Sequence, residues 1–220
     1  MVKLVWDKVG ERLYETGTSK GVLFVQSTLG AYGEGVAWNG LASVKQSPDG
    51  AEESPVFANN HKYLSLTSAE NFNGTIEAYT YPDEFAACDG SAEVSPGVHL
   101  GQQGRTAFGL AYSTVVGKDT VGEAFGEKIH LIYGAKAAPS DRAYETINDD
   151  PNALLFSWGI TTTPESVSDD RFKPTSYVVV DSTKADPEDF AILKDMIYGT
   201  EAEESSMPSV DDIIAMFGTV

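Results

Sequence analysis

Polar and apolar positions alternate with a period of two over much of this chain. From Phe108 to Val116, residues Phe108, Leu110, Tyr112, Thr114 and Val116 fall on one side and Gly109, Ala111 and Ser113 on the other. This is the pattern of a pleated strand with one face turned to a core. Leu154–Thr163 sets Leu154, Phe156, Trp158 and Ile160 against Ser157, Gly159, Thr161 and Thr163, and Lys128–Gly134 sets Ile129, Leu131 and Tyr133 against Lys128, His130 and Ile132. Phe72–Tyr81 alternates likewise, with Ile76, Ala78 and Thr80 opposite Glu77, Tyr79 and Tyr81. With Val22–Gln26, Gly35–Val44, His61–Leu66 and Tyr177–Ser182, the pattern predicts about eight strands. Turn-rich connections rather than helices separate them, so the expected fold class is mainly β, an antiparallel β-sandwich or barrel. One face of each strand is expected in the core. The faces rich in Gly, Ala, Ser and Thr are expected to be solvated or to admit a neighbouring subunit.

Few helices are expected. Asp186 is placed as an N-cap before Pro187, acids follow in the first turn, Phe190, Leu193 and Ile197 form one stripe, and Gly199 stops the helix. Ser209 and Asp212 have capping-box spacing ahead of a second apolar run, after the polar linker Glu201–Pro208. A third short helix is expected over 138–151. In Tyr79–Gly90, Asp83 and Glu84 read as first-turn acids after Pro82, and Cys88 as a small buried thiol. The stretch from Gln46 to Asn60 is long for a connection between two strands. It reads either as a mobile surface loop or as a hairpin that orders against a partner.

Composition narrows the function classes. The 220 residues carry 15 Lys and Arg against 33 Asp and Glu, a net charge of −18. Such a surface repels phosphate and disfavours ordinary DNA or RNA binding. Glu165–Val220 holds 13 acidic and 4 basic residues, which marks an acidic appendage. A single cysteine excludes an internal disulfide and fits a reducing compartment. The charged N-terminus lacks the apolar run of a signal peptide, and no run of apolar residues is long enough for a membrane helix. The reading is a soluble, unexported protein with no membrane role.

Catalytic motifs are missing. The Gly30–Gly35 stretch lacks the Gly-x-Gly-x-x-Gly spacing. His61, His99 and His130 are scattered, and His130, inside a strand, reads as a hydrogen-bonded structural histidine. No catalytic residue, metal ligand or cofactor is assigned, and the chain is expected not to be an enzyme.

Five blocks, in order, carry a resemblance: Trp38–Val44, Ala78–Gly90, Gly101–Thr114, Lys128–Asp149 and Phe156–Glu165. Together they resemble the major tail tube proteins of long, flexible-tailed bacteriophages over about Gly17–Ser182. The resemblance implies a β domain over 1–182 with an N-terminal arm over about 1–20 and one flanking helix, followed by an acidic C-terminal extension over 183–220. It implies a structural virion protein of the tail, assembled in the host bacterial cytoplasm as hexameric rings stacked head to tail, with double-stranded DNA passing through unspecifically. Its implied partners are a tape-measure protein, a tail terminator and a distal tail protein. A long hairpin loop in the family bridges subunits and rings. The matching positions here are Ser47, Pro48, Asp49, Gly50, Ala51, Glu52, Glu53 and Ser54, within 46–60. Tyr79, Tyr81, Pro82, Phe85 and Cys88 would then be an architectural corner. The competing expectation is a β-sandwich binding module such as a distal tail or baseplate component.

Overall fold

A computed structural model describes residues 3–147 and 152–218. In chain order the strands are β1 (Leu13–Gln26), β2 (Tyr32–Trp38), β3 (Leu41–Gln46), β4 (Asp49–Gly50), β5 (Glu53–Ala58), β6 (His61–Thr67), β7 (Glu70–Asn71) and β8 (Asn73–Ala78). A 3-10 turn (Asp83–Phe85) runs into α1 (Ala86–Asp89). There follow β9 (Ala92–Ser95), β10 (Val98–Leu100), β11 (Phe108–Lys118), β12 (Gly122–Ala137), β13 (Phe156–Thr162) and β14 (Tyr177–Asp181), then α2 (Pro187–Tyr198) and α3 (Val210–Phe217).

The principal sheet is eight-stranded and antiparallel, in the order β2-β1-β11-β12-β13-β8-β3, with β14 also paired to β12. Its end strands β2 and β3 are consecutive in sequence and joined by the turn at Asn39–Gly40, so the sheet curls back on itself. The fold is therefore the expected mainly β, sandwich-like one with flanking helices. The run read as one strand over Gly35–Val44 is two strands, because Gly40 takes a positive φ of 73° and reverses the chain.

The inner face of the curl encloses Leu23, Trp38, Ile76, Phe85, Phe108, Leu110, Ile132, Trp158 and Ile160. A second core lies on the outer face, where Val22, Phe24, Ala111, Ile129, Leu131 and Tyr133 pack against Phe190, Leu193, Ile197, Val210 and Ile213 of α2 and α3. This corrects the expectation of one buried face per strand. The inner stretches of β1 (from Gly21 to Phe24), β11 and β12 (from Ile129 onward) are buried on both faces, and the chain's own C-terminal segment covers the small-residue side of β11. A Cβ added to Gly109 would sit 3.1 Å from Tyr32 and 3.2 Å from Met207, so the small residue is what lets that segment approach.

Helix ends follow the local chemistry. The Asp186 side chain accepts from the amides of Glu188 and Asp189, Gly199 terminates α2, and Ser209 and Asp212 form a reciprocal capping box on α3. Over 138–147 there is no helix, so the expected helix is absent there, and positions 148–151 of its expected range lie outside the described residues. Its Pro139 removes an amide, and its apolar side chains Tyr144 and Ile147 remain exposed, so no stripe is buried to hold a helix.

One glycine sets the curvature. Residues 129, 131 and 133 of β12 face the outer core, whereas 132, 135 and 137 face the inner one. The parity changes at Gly134, which has φ 57°, and the β11–β12 register shifts in the same place. Before this bulge β12 pairs with β14, over Lys128–Ile132; after it, over Ala135–Ala137, it pairs with β13.

Candidate functional site

The segment between β3 and β8 leaves the sheet altogether. β4 pairs with β7 as a short stalk, Asp49 opposite Asn71 and Gly50 opposite Glu70, and Ser68 and Glu52 exchange further hydrogen bonds. Beyond the stalk β5 pairs with β6, from Glu53 opposite Thr67 to Ala58 opposite His61. The tip is Asn59–Asn60 with φ of 50° and 64°, the left-handed pair that a two-residue hairpin turn requires. At roughly 3.3 Å per residue the two arms extend about 20 Å.

His61–Leu66 was expected to be a sheet strand. It is instead the return arm of this hairpin, paired with β5 alone. Period-two alternation reports two differing faces and does not say which partner a strand takes. Ser47, Pro48, Asp49, Gly50, Ala51, Glu52, Glu53 and Ser54 are all exposed; they form the stalk and the start of the outgoing arm.

The sequence reading stopped short of the apolar residues beyond them. Val56 opposes Leu64, and Ser54 opposes Leu66, so Val56, Leu64 and Leu66 share one face. They are 40%, 39% and 60% exposed. Phe57 and Tyr63 are each 67% exposed beside them. The Asn-Asn pair between two alternating runs was the available signal. An isolated two-stranded hairpin is marginal in water, and among the described residues this one pairs with no further strand and leaves its apolar face exposed.

A second, smaller hairpin, β9–β10, turns at Pro96–Gly97 and exposes Val94, Val98 and Leu100. The N-terminal segment exposes Leu4, Val5, Trp6 and Val9. All three surfaces are apolar on a strongly acidic chain.

The corner residues divide sharply. Phe85 and Cys88 are fully buried, Tyr81 and Pro82 are half-buried, and Tyr79 is exposed. The Phe85 ring lies 4.6 Å from Trp38, 5.1 Å from Trp158 and 5.4 Å from Phe108, and Tyr81 is edge-on to Trp158 at 5.5 Å. Trp38 donates its indole N–H to the Thr80 carbonyl at 3.0 Å. Burial, reinforced by the Asp89 charge, pushes the Cys88 thiol up to about 12, which keeps it protonated and unreactive. Asp83 and Glu84 stand in the first turn after Pro82.

A cleft of about 930 Å³ beside the corner is lined in part by Tyr81, Asp89, His99, Arg105, Arg142 and Phe156. Of its two carboxylates, Asp83 and Asp89, the second is already engaged: Asp89 pairs with Arg142 and accepts from Trp158. That is an architectural joint. His130 is likewise hydrogen-bonded inside the sheet, to Thr114 and Tyr177. Among the described residues no group of three or more His, Cys, Asp or Glu side chains is placed to hold a metal ion, and no helix is long and apolar enough to cross a membrane.

No protein-family model matches the sequence, and no curated protein matches it.

Proposed function

We propose that this chain is a tail tube subunit of a long-tailed bacteriophage, polymerising as hexameric rings stacked into a conduit for double-stranded DNA. The observation that carries the reading is the projecting hairpin, a β-arm that among the described residues pairs with no other strand and leaves its apolar face of Val56, Leu64 and Leu66 exposed. An arm of this kind fits a heterologous contact, in which one surface of a subunit enters a different surface of the next. Repeated head to tail, such contacts grow without limit, so length must be set by other proteins; a tape-measure protein, a terminator and a distal tail protein suit those roles. The net charge of −18 suits a conduit that must not hold DNA, since a basic wall would bind phosphate at every ring. The five ordered sequence blocks support the same reading.

Negative-stain electron microscopy of the concentrated protein, with its solution mass in parallel, tests it. Hollow tubes or six-fold rings are expected. The double variant Leu64→Ser, Leu66→Ser should abolish them while leaving the fold intact. The competing reading, a binding module at the tail tip, draws on the exposed Phe57 and Tyr63. It requires monomers that persist even when a tail initiator complex is added, and that outcome would sink the tube.

A further inference from the structure

Two neighbouring hollows on the outer face form one groove. The first, about 470 Å³, has a floor of Val22, Gly35 and Ala37 and a wall of Ile197 and Tyr198 at the end of α2. The second, also about 470 Å³, continues past Gly35 and Tyr198 and is edged by Glu34, Glu201, Glu203 and Glu204. None of these four glutamates pairs with a cation among the described residues, while Lys20 at the apolar end is held by Glu127 at 3.2 Å. The groove also follows an open strand edge. β2 is the end strand of the principal sheet, and among the described residues its outer side meets only the Ser205 carbonyl, which accepts from the Gly35 amide at 3.2 Å.

An apolar floor with an acidic rim fits an apolar segment that carries positive charge. Lys3, Leu4, Val5 and Trp6 make up such a segment: they form no strand or helix, and Trp6 is 74% exposed whereas Trp38 and Trp158 are buried. Lys3 pairs with no carboxylate among the described residues. A tryptophan gains most from a pocket that is apolar at its base and offers the indole N–H an acceptor at its rim. The rim glutamates supply that acceptor and the counter-charge for Lys3.

Trp6 cannot seat in the groove of its own chain. The Gly10 amide donates to both carboxylate oxygens of Asp119, at 3.1 and 3.0 Å, and the Asp119 amide donates to the Arg12 carbonyl, which pins residue 10 at the turn after β11. The floor residue Val22 pairs with Ala111, and from Ala111 to Asp119 the strand rises roughly 26 Å. Between Gly10 and Trp6 an extended backbone spans at most about 14 Å, and the turn closed by the Glu11 amide on the Lys8 carbonyl shortens it. Segment and groove lie at opposite ends of the long strands.

We infer that the N-terminal segment of one copy seats in this groove of a second copy, with Trp6 on the floor of Val22 and Ala37 and Lys3 among the rim glutamates. The two surfaces differ, so the contact is heterologous and leaves a segment free at one end of each pair and a groove free at the other. Charge selects the occupant. On a chain of net charge −18 most of another copy's surface is repelled by four carboxylates, whereas Lys3–Trp6 carries one positive charge and no negative one. The hairpin arm is the poorer match, because its Lys62 is already paired with Glu53 at 2.6 Å.

The inference rests on the tube reading only in taking copies of this chain to meet. Its test uses full-length chains in which Leu64→Ser and Leu66→Ser remove the arm contact, so the two readings fail separately. A dilute donor chain is labelled with 5-fluorotryptophan and mixed with unlabelled acceptor that also carries Trp6→Ala, up to about 1 mM, the weak end of specific binding. The Trp6 fluorine resonance, assigned with Trp6→Phe, should move and lose its H2O/D2O isotope shift as acceptor is added, while those of Trp38 and Trp158 stay. Acceptors with Glu203→Lys and Glu204→Lys, or with Ala37→Phe filling the floor, should leave Trp6 exposed. A Lys3→Glu donor should bind the original acceptor about threefold to fivefold more weakly and regain binding on the charge-reversed one. A Trp6 resonance that keeps its isotope shift throughout would overturn the inference. So would equal cover by the charge-reversed or filled acceptor, which would place Trp6 on another surface.

Discussion

The indole N–H of Trp158 donates to the carboxylate of Asp89 at 3.0 Å, joining residues 69 apart in sequence. Trp158 is fully buried between Phe85, Tyr81 and Phe156, and the Asp89 side chain is only 10% exposed. Asp89 also pairs with Arg142 and lies 3.8 Å from Arg105, while Arg142 covers the Tyr81 and Phe156 rings. One acid thus ties the end of α1 to β13 and to the loop after β12. The chain can reach it because Gly90, at φ 80°, closes α1 in the left-handed region and leaves room for Arg105.

Asp89→Ala should therefore cost about 3 kcal/mol in urea unfolding, because it strands a buried indole N–H and leaves Arg142 without its counter-charge. Asp89→Asn, whose amide oxygen still accepts from Trp158, should cost less. A loss under about 1 kcal/mol for the alanine variant would put the joint among ordinary surface pairs.

Gly134→Ala should destabilise by about 2 to 4 kcal/mol. The residue has φ 57°, and an added Cβ would clash with the Thr163 carbonyl oxygen, a backbone atom that cannot swing aside. Since the bulge here passes β12 from β14 to β13, near-UV circular dichroism from the Trp158 region should change with it. Wild-type stability would show that the bulge does not set the curl.

Acid should loosen α2 through Glu127. This residue bonds Lys194 of α2 and Lys20 of β1. Burial alone would raise its pKa, but the two lysines outweigh it and hold the carboxyl below its ordinary 4.5. The folded value is depressed, so this contribution to stability is full above about 4.5 and is lost as pH falls through the folded value. Glu127→Gln should flatten the acid limb of a stability-against-pH curve while lowering stability at neutral pH. An unchanged limb would mean the lysines contribute nothing net.

On the proposed tube reading, assembly should speed up with added salt. Subunits of charge −18 repel one another, and at physiological ionic strength screening acts beyond about 8 Å, while apolar contacts such as those offered by Leu64 and Leu66 are not weakened by it. Light scattering against salt concentration measures this. A rate that falls with salt would mean that ion pairs drive the joining.

The elements that could be read from sequence are those whose cause is local. Asp186 reaches amides two and three residues ahead, Ser209 and Asp212 are three apart, and the alternation through Phe108–Val116 needs only a backbone of period two. The buried Cys88 and the first-turn acids after Pro82 were legible for the same reason. Where a partner lies far off in sequence, the reading failed or stopped. One local pairing was misread as well: His61–Leu66 alternates like a sheet strand, yet its partner is its own hairpin neighbour. The small side of β11 gave no sign that residues near Met207 would cover it. The apolar part of the candidate arm went unread because its alternation looked like a core.

By itself, then, the sequence determined most strands of the principal sheet, the two capped helices, an acidic surface and an unusual corner, since propensity, capping and charge act over a few residues. Only the tertiary structure decided that both faces of the central strands are buried, that Gly134 bends the sheet, that Asp89 pins Trp158, and that Gly35 and Tyr198 frame one groove. Each of these joins positions tens of residues apart, and the energy that brings them together comes from burying a shared core, which no local window of sequence contains.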